Sequence, residues 1–115
     1  MALTVNTSDP DRLLREIKAA IDSYSVRTWI YNAKGHFTHV PPQWRDEAWL
    51  KPVVRRGCLE FLLILPPGDA KQGVAGVYQG RFATMLQNHF GYSAVVSANP
   101  DQPPIRRKKS KRART

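Results

Sequence analysis

The sequence has little cysteine and no long apolar run. Cys58 is the single cysteine among 115 residues, so the chain cannot form an internal disulfide, which is typical of a reducing compartment. The longest apolar run, residues 61–65, is far too short to cross a bilayer, and the first ten residues lack the charged and apolar regions of a secretory signal. These absences predict a cytoplasmic protein that makes no membrane contact.

The sequence also lacks the motifs that hold metals or cofactors. It contains no Cys-x-x-Cys or His-Glu-x-x-His pattern, and no glycine-rich loop of the Walker or dinucleotide type. His36 and His39 are an odd number of residues apart on a predicted strand, so their side chains point to opposite faces. We therefore expect no metal and no cofactor.

Acidic residues are absent from the end of the chain, where cations accumulate. Residues 105–115 contain seven Lys/Arg and no Asp/Glu, whereas the preceding 104 residues hold 11 Lys/Arg against 9 Asp/Glu. Most of the formal charge of +9 therefore belongs to the tail. Such a run attracts nucleic acid, because Lys and Arg neutralise phosphates and release counterions. The predicted phosphate contacts are Arg106, Arg107, Lys108, Lys109, Lys111, Arg112 and Arg114.

Three cations of the body are predicted as weaker contacts to nucleic acid. Arg27, Arg55 and Arg56 lie in predicted loops or at strand ends, where a phosphate can reach them. Nothing in the pattern distinguishes DNA from RNA. In a nucleated cell, the segment KKSKR at 108–112 is also typical of a nuclear import signal.

The remaining residues predict a compact α+β domain over 1–98, followed by a flexible basic tail over 99–115. Asp9 and Pro10 are typical of a helix start, and Gly91 is typical of a helix end. The order α-β-β-β-α-β predicts a small antiparallel sheet with two helices packed on it. The predicted helices cover 10–24 and 71–90, and the predicted strands cover 26–31, 36–40, 58–65 and 92–97.

Three details of this fold are also predicted. Residues 58–65 end in FLLIL, which is apolar on both faces and favours a central strand covered on both sides. Residues 43–50 predict a short helical turn, and residues 52–54 a brief extended piece. Gly73, Gly76 and Gly80 lower helix stability, so their recurrence predicts a helix that approaches the sheet or a partner closely. In the alternative interpretation, the helix begins near Tyr78, and Gly73 and Gly76 lie in the loop before it.

A protein-interaction module is the alternative function. Trp44, Arg45 and Trp49 follow two prolines, and Trp and Arg are frequent anchors of protein interfaces. A small inhibitor, immunity or accessory protein would dock through the loop that carries Trp44 and Trp49. In the simpler interpretation, both tryptophans close over the end of the core.

An enzyme, such as a small nuclease, would need an acid-base pair in one cleft. The candidates are His36, His39 and Glu60. Glu60 alternates with apolar neighbours along a strand, and an ion pair with Arg55 or a solvated position is the simpler interpretation. The sequence therefore predicts a non-enzymatic protein that binds nucleic acid through its tail.

Overall fold

The computed structural model describes residues 2–68, 70–97 and 105–106, which form one sheet and two helices. The strand order is β2-β3-β4-β5-β1-β6 with antiparallel neighbours, and β7 pairs in parallel with the end of β5. The predicted α+β class, with two helices on a small antiparallel sheet, is confirmed. The elements are β1 (Ala2–Asn6), α1 (Pro10–Asp22), β2 (Trp29–Tyr31), β3 (Phe37–His39), β4 (Trp49–Arg55), β5 (Cys58–Leu65), α2 (Val74–Phe90), β6 (Ala94–Ser97) and β7 (Ile105–Arg106).

The first strand was not predicted, although it lies between β5 and β6 in the sheet. Leu3 and Val5 are fully buried, whereas Thr4 is half-buried and Asn6 is exposed. This alternation is the period-two pattern of a strand with one buried face. Five residues at the start of a chain give too short a pattern to identify a strand from sequence alone.

The helical turn predicted over 43–50 is present in part, because residues 42–46 form turns in which the N–H of Arg45 bonds to the carbonyl of Pro41, and β4 begins at Trp49. Strand β4 continues through Pro52 and contains the extended piece that was predicted over 52–54. Strand β4 pairs with β3 through one residue pair, Phe37 with Leu50, so β3 does not extend as far as Pro52. A proline at this position is tolerated for that reason. A proline in a strand is confined to positions where its missing N–H breaks no ladder bond.

Both helices cover the same face of the sheet. The ring of Phe82 in α2 lies 4.6 Å from that of Phe61 and 5.5 Å from that of Phe37, measured between centroids. Asp22 of α1 accepts a hydrogen bond from the hydroxyl of Tyr31, which is paired with Phe37 and so shares its face. The buried core therefore forms between this face and the two helices.

The opposite face of the sheet is less buried. Cys58, Glu60 and Leu62 of β5 are half-buried, whereas the alternating residues Leu59 and Phe61 are fully buried. The prediction that β5 is central is confirmed. Covering on both sides was predicted for the FLLIL segment, and it is found at Ile64, which is buried on this second face, whereas Leu62 is half-buried there.

The helix boundaries follow the predicted capping residues. The Asp9 side chain accepts a hydrogen bond from the N–H of Arg12 at 3.1 Å, and Pro10 occupies the first turn. Gly91 ends α2 in the left-handed conformation, at φ +72°. Within the described ranges, neither helix is long and apolar enough to cross a membrane.

The predicted tail lies almost entirely outside the described residues. Its described part is β7, in which Ile105 pairs with Ile64 and Arg106 pairs with Leu65. This pairing was not predicted. The boundary near residue 98 and the flexibility of the tail stay predictions.

The close-packing role predicted for the α2 glycines is wrong. A Cβ atom added at Gly76 or Gly80 would meet no heavy atom within 4 Å. Gly73 precedes the helix, at φ +79°. The two helical glycines therefore weaken α2 without a packing benefit in the described structure.

Replacing Gly76 or Gly80 by alanine is expected to stabilise the protein. Each substitution should raise the free energy of unfolding by about 0.5–1 kcal/mol, because alanine loses less backbone entropy in a helix. Urea unfolding measures the change. Gly91→Ala is the control and should destabilise, because its φ of +72° strains any residue with a Cβ atom. A loss of stability in both helical variants would show that these glycines are covered.

Candidate nucleic-acid interface

The predicted site residues lie at two opposite ends of the antiparallel sheet. Trp29 pairs with His39, and Trp49 pairs with Ile64. Strands β2 and β4 therefore begin, and β3 and β5 end, at the same end of the sheet. We call this the Trp29 end. The turn between Arg55 and Cys58 lies at the other end of β4 and β5, which we call the hairpin end.

Arg55 and Arg56 lie at the hairpin end and are not joined to the other cations. The Nε of Arg55 donates a hydrogen bond to the carboxylate of Glu60, and this bond raises the pKa of Arg55. The Arg55 charge is therefore partly compensated. Arg56 is exposed in the adjoining turn.

Arg27 and Arg45 lie together at the Trp29 end. Both line a cleft of about 420 Å³ whose walls include Tyr24 and Ile30. The Nε of Arg27 donates to the carbonyl of Tyr24 at 3.1 Å. A carbonyl carries no full charge, so this contact holds the side chain without neutralising it.

The predicted docking loop is divided between two sides of the sheet. Trp44 is half-buried against the core, and the Nζ of Lys71 lies 4.9 Å from its ring centroid. Trp49 is also half-buried, but it points away from the face that carries Leu50. Arg45 is exposed in the turn between them. The structure does not bring the two tryptophans into one patch.

Of the seven predicted tail cations, Arg106 is the one that lies within the described residues. The backbone of Arg106 pairs with Leu65, and Leu65 is the last residue of β5 at the Trp29 end. The other six predicted contacts lie outside the described residues, namely Arg107, Lys108, Lys109, Lys111, Arg112 and Arg114.

His39 is a buried polar side chain at the Trp29 end. It is 4% exposed, and its ring stacks on Trp29 with the centroids 4.4 Å apart. Its Nδ1 lies 2.8 Å from the carbonyl oxygen of Thr28, and its Nε2 lies 3.3 Å from the guanidinium of Arg81. A carbonyl can only accept and a guanidinium can only donate, so Nδ1 carries the proton and Nε2 accepts.

The environment of His39 favours its neutral form. Burial lowers the pKa of His39, and the positive charge of Arg81 lowers it further, whereas the hydrogen bond to Thr28 acts in the opposite direction. The charge of this pair is therefore carried by Arg81, which is exposed on α2.

The hydroxyl of Tyr78 fixes the backbone around His39. It lies 2.9 Å from the Oγ1 of Thr38, accepts from the N–H of His39 at 3.4 Å and donates to the carbonyl of Trp44. Strands β3 and β4 diverge here, so their backbone groups need other partners. Burial raises the pKa of Tyr78, which keeps the hydroxyl protonated.

A cleft of about 380 Å³ opens between α2 and the start of β2. His39 and Arg81 meet at its wall, and no Asp or Glu lines it. Its lining residues are Thr28, Trp29, His39, Pro41, Arg81, Thr84, Met85, Asn88 and His89.

The acid-base group suggested for an enzyme is not assembled. Glu60 is paired with Arg55 on the less buried face of the sheet. His39 shares the helix-covered face with Phe37, and His36 precedes β3 at the far end of that strand. In the described part of the chain, no three His, Cys, Asp or Glu side chains form a group suited to a metal ion.

Comparisons with protein-family models, with curated proteins and with solved structures found no match for this chain. A function therefore has to be inferred from the residues and their geometry.

Sequence reasoning missed the pair formed by His39 and Arg81. The two residues are 42 positions apart, and they meet because α2 crosses the end of β3. The sequence indicates one part of this pair. Arg81 directly precedes the apolar Phe82, which places Arg81 at the border of the buried side of α2. This pattern does not reveal the partner.

His39 is expected to make stability depend on pH. The pKa of a histidine in the unfolded chain is near 6.5, and the pKa of His39 in the folded protein is lower. Just below pH 6.5 the unfolded state therefore binds more protons than the folded state. The free energy of unfolding should therefore fall as pH decreases from 7.5 to 5.5. His39→Gln should make this decline shallower in urea unfolding. An unchanged slope in His39→Gln would contradict the burial of a neutral imidazole.

Removal of the Tyr78 hydroxyl is expected to destabilise the fold. Tyr78→Phe leaves the buried groups of Thr38, His39 and Trp44 without this partner, which should lower the free energy of unfolding by about 1–3 kcal/mol. Thermal or urea unfolding measures the loss. Tyr24→Phe is the matched control, because Tyr24 is 73% exposed and its hydroxyl should contribute less than about 0.5 kcal/mol. Equal stability of both variants would show that the Tyr78 bonds are replaced.

Proposed function

We propose that this protein binds nucleic acid without catalysing a reaction, and that its Lys/Arg tail contacts the phosphate backbone. The observation that carries the proposal is the absence of acid and the presence of seven Lys/Arg in residues 105–115. Each neutralised phosphate releases counterions, so affinity grows with the number of contacts and falls with salt. Contacts of this kind are independent of sequence.

The attachment of the tail to the sheet supports this proposal. Strand β7 pairs with the end of β5, on the side of β5 away from β4. Four strand spacings separate that position from β2, or about 19 Å. Residues 107–115 can reach up to about 30 Å when extended, so they can contact the same nucleic acid as the Trp29 end.

Cations of the body reinforce the tail at this end. Arg27, Arg45 and Arg81 are exposed there, and the ion pairs of the described residues involve none of them. Arg55 is excluded from this group because Glu60 compensates its charge at the hairpin end. These cations share the Trp29 end with Asp46 and Glu47, so the body adds individual positive side chains there.

Docking to a protein through the tryptophan loop has less support. Trp44 and Trp49 lie on different sides of the sheet, and Trp44 already packs on the core and on Lys71. Anchors of an interface usually cluster near its centre. Arg45 is better explained as an exposed cation that lines a cleft with Arg27.

Neutralising the tail is expected to abolish most of the salt dependence of nucleic-acid binding. The variant changes Arg107, Lys108, Lys109, Lys111, Arg112 and Arg114 to Gln and keeps β7 intact. If all six contact phosphates, the slope of log K against log salt should become shallower by about 5 for duplex DNA and about 4 for single strands. Fluorescence anisotropy over a salt series measures the slope for single- and double-stranded DNA and RNA.

The matched control is a variant in which the order of residues 107–115 is shuffled. It keeps the composition and charge of the tail, so an electrostatic contact predicts unchanged binding. Equal affinities of the wild-type and neutralised proteins at every salt concentration would contradict the role of the tail. Weak binding by the shuffled variant would show that the tail is read as a specific sequence.

A further inference from the structure

The guanidinium of Arg81 is a cation without an acidic partner at the edge of a cleft. The two ion pairs of the described residues are Arg12 with Glu16 and Arg55 with Glu60, and neither involves Arg81. Its guanidinium contacts the neutral Nε2 of His39 at 3.3 Å. Guanidinium has five N–H donors, so most of them are available to an anion.

The geometry of His39 holds this cation toward the cleft. The imidazole is stacked on Trp29 and bonded to the carbonyl of Thr28, so its Nε2 faces Arg81 in a fixed orientation. Because the ring is buried and neutral, it directs the guanidinium without adding or removing charge. An arginine positioned in this way is well suited to bind a phosphate through two parallel hydrogen bonds.

The walls of the cleft combine polar groups with apolar surface. Asn88 and His89 are exposed about two turns after Arg81 on α2 and add polar groups to the same cleft. Pro41 supplies apolar wall, to which Trp29 and Met85, only 1% and 5% exposed, add small areas. A volume of about 380 Å³ falls within the range of small-molecule sites, and such sites are mostly apolar with a few fixed polar groups.

We propose that this cleft binds one nucleotide of the bound strand, with the phosphate on Arg81 and the sugar or base against the apolar wall. The proposal rests on the nucleic-acid function proposed above and deepens it, because it assigns a site for a single nucleotide to the body. Arg81 is the principal binding residue, and His39 is a positioning residue. The site requires an unpaired nucleotide, because the base of a duplex is stacked and not free to enter a cleft.

The test uses the full chain and a single nucleotide, so that the tail cannot supply the readout. Adenosine 5′-monophosphate and inorganic phosphate are titrated separately into ¹⁵N-labelled protein and followed by NMR. Amide shifts are expected at Thr28, Arg81, Thr84 and Asn88. Adenosine monophosphate should bind at least about fivefold tighter than phosphate. Its sugar or base needs to bury only about 40 Å² of apolar surface in the cleft to give about a fivefold gain in affinity.

Arg81→Gln is expected to weaken nucleotide binding by at least about tenfold, because it removes a charge-assisted contact. Arg15→Gln is the matched control, since Arg15 is an exposed arginine of α1 that does not line the cleft. It removes the same charge and should leave the affinity unchanged. His39→Gln should weaken binding less than Arg81→Gln, because it disturbs the orientation of the guanidinium and keeps its charge.

Four outcomes separate this inference from the proposed function. Shifts in the cleft that Arg81→Gln removes and Arg15→Gln keeps would support the nucleotide site. Equal affinities for phosphate and adenosine monophosphate would overturn it in favour of a simple anion site. Polymer binding through the tail without shifts in the cleft would overturn the inference alone. Binding of the mononucleotide without any polymer binding would overturn the proposed function.

Discussion

The packing of Phe82 on three aromatic rings is the interaction on which the rest of the structure depends. Its ring lies 4.8 Å from that of Trp29 and 4.6 Å from that of Phe61, and it also contacts Phe37. These rings come from three strands, so one side chain fixes α2 across most of the sheet. The position of every other α2 residue follows from this anchor, because a helix is rigid over a few turns.

The candidate site is a consequence of that anchor. Tyr78 lies about one turn before Phe82, where its hydroxyl reaches the gap between β3 and β4. Arg81 precedes Phe82 directly and therefore emerges at the border of the buried face, beside His39. The same packing that closes the core thus brings a buried imidazole and an exposed guanidinium together. A helix shifted by one turn, about 5.4 Å, would separate them.

Features that depend on neighbouring residues were predictable from the sequence, and features that depend on distant ones were not. The helix limits at Asp9 and Gly91 follow from capping chemistry within a few residues, and both were correctly predicted. Strand β5 was predicted because eight residues carry its pattern. Strand β4 was predicted only as an extended piece over 52–54, because Pro52 argues against a longer strand unless it is known that β3 does not reach this point. The pairing of His39 with Arg81 required the path of α2 over the sheet, which no local pattern contains.

The proposed tail contacts and the proposed cleft differ in how their affinity depends on salt. This difference gives a reason for joining a body of low net charge to a strongly basic tail. Contacts between a tail and phosphates are strong at low salt and decay steeply as salt rises, because each one releases counterions. A cleft that binds one phosphate loses little affinity with salt, and its apolar wall is not screened at all. Joined in one chain, the tail holds the strand near the protein at a high effective concentration, and the cleft can then act with an intrinsic affinity too weak to bind a free strand. In the proposed arrangement the tail supplies most of the salt-dependent affinity, whereas the cleft holds a single nucleotide.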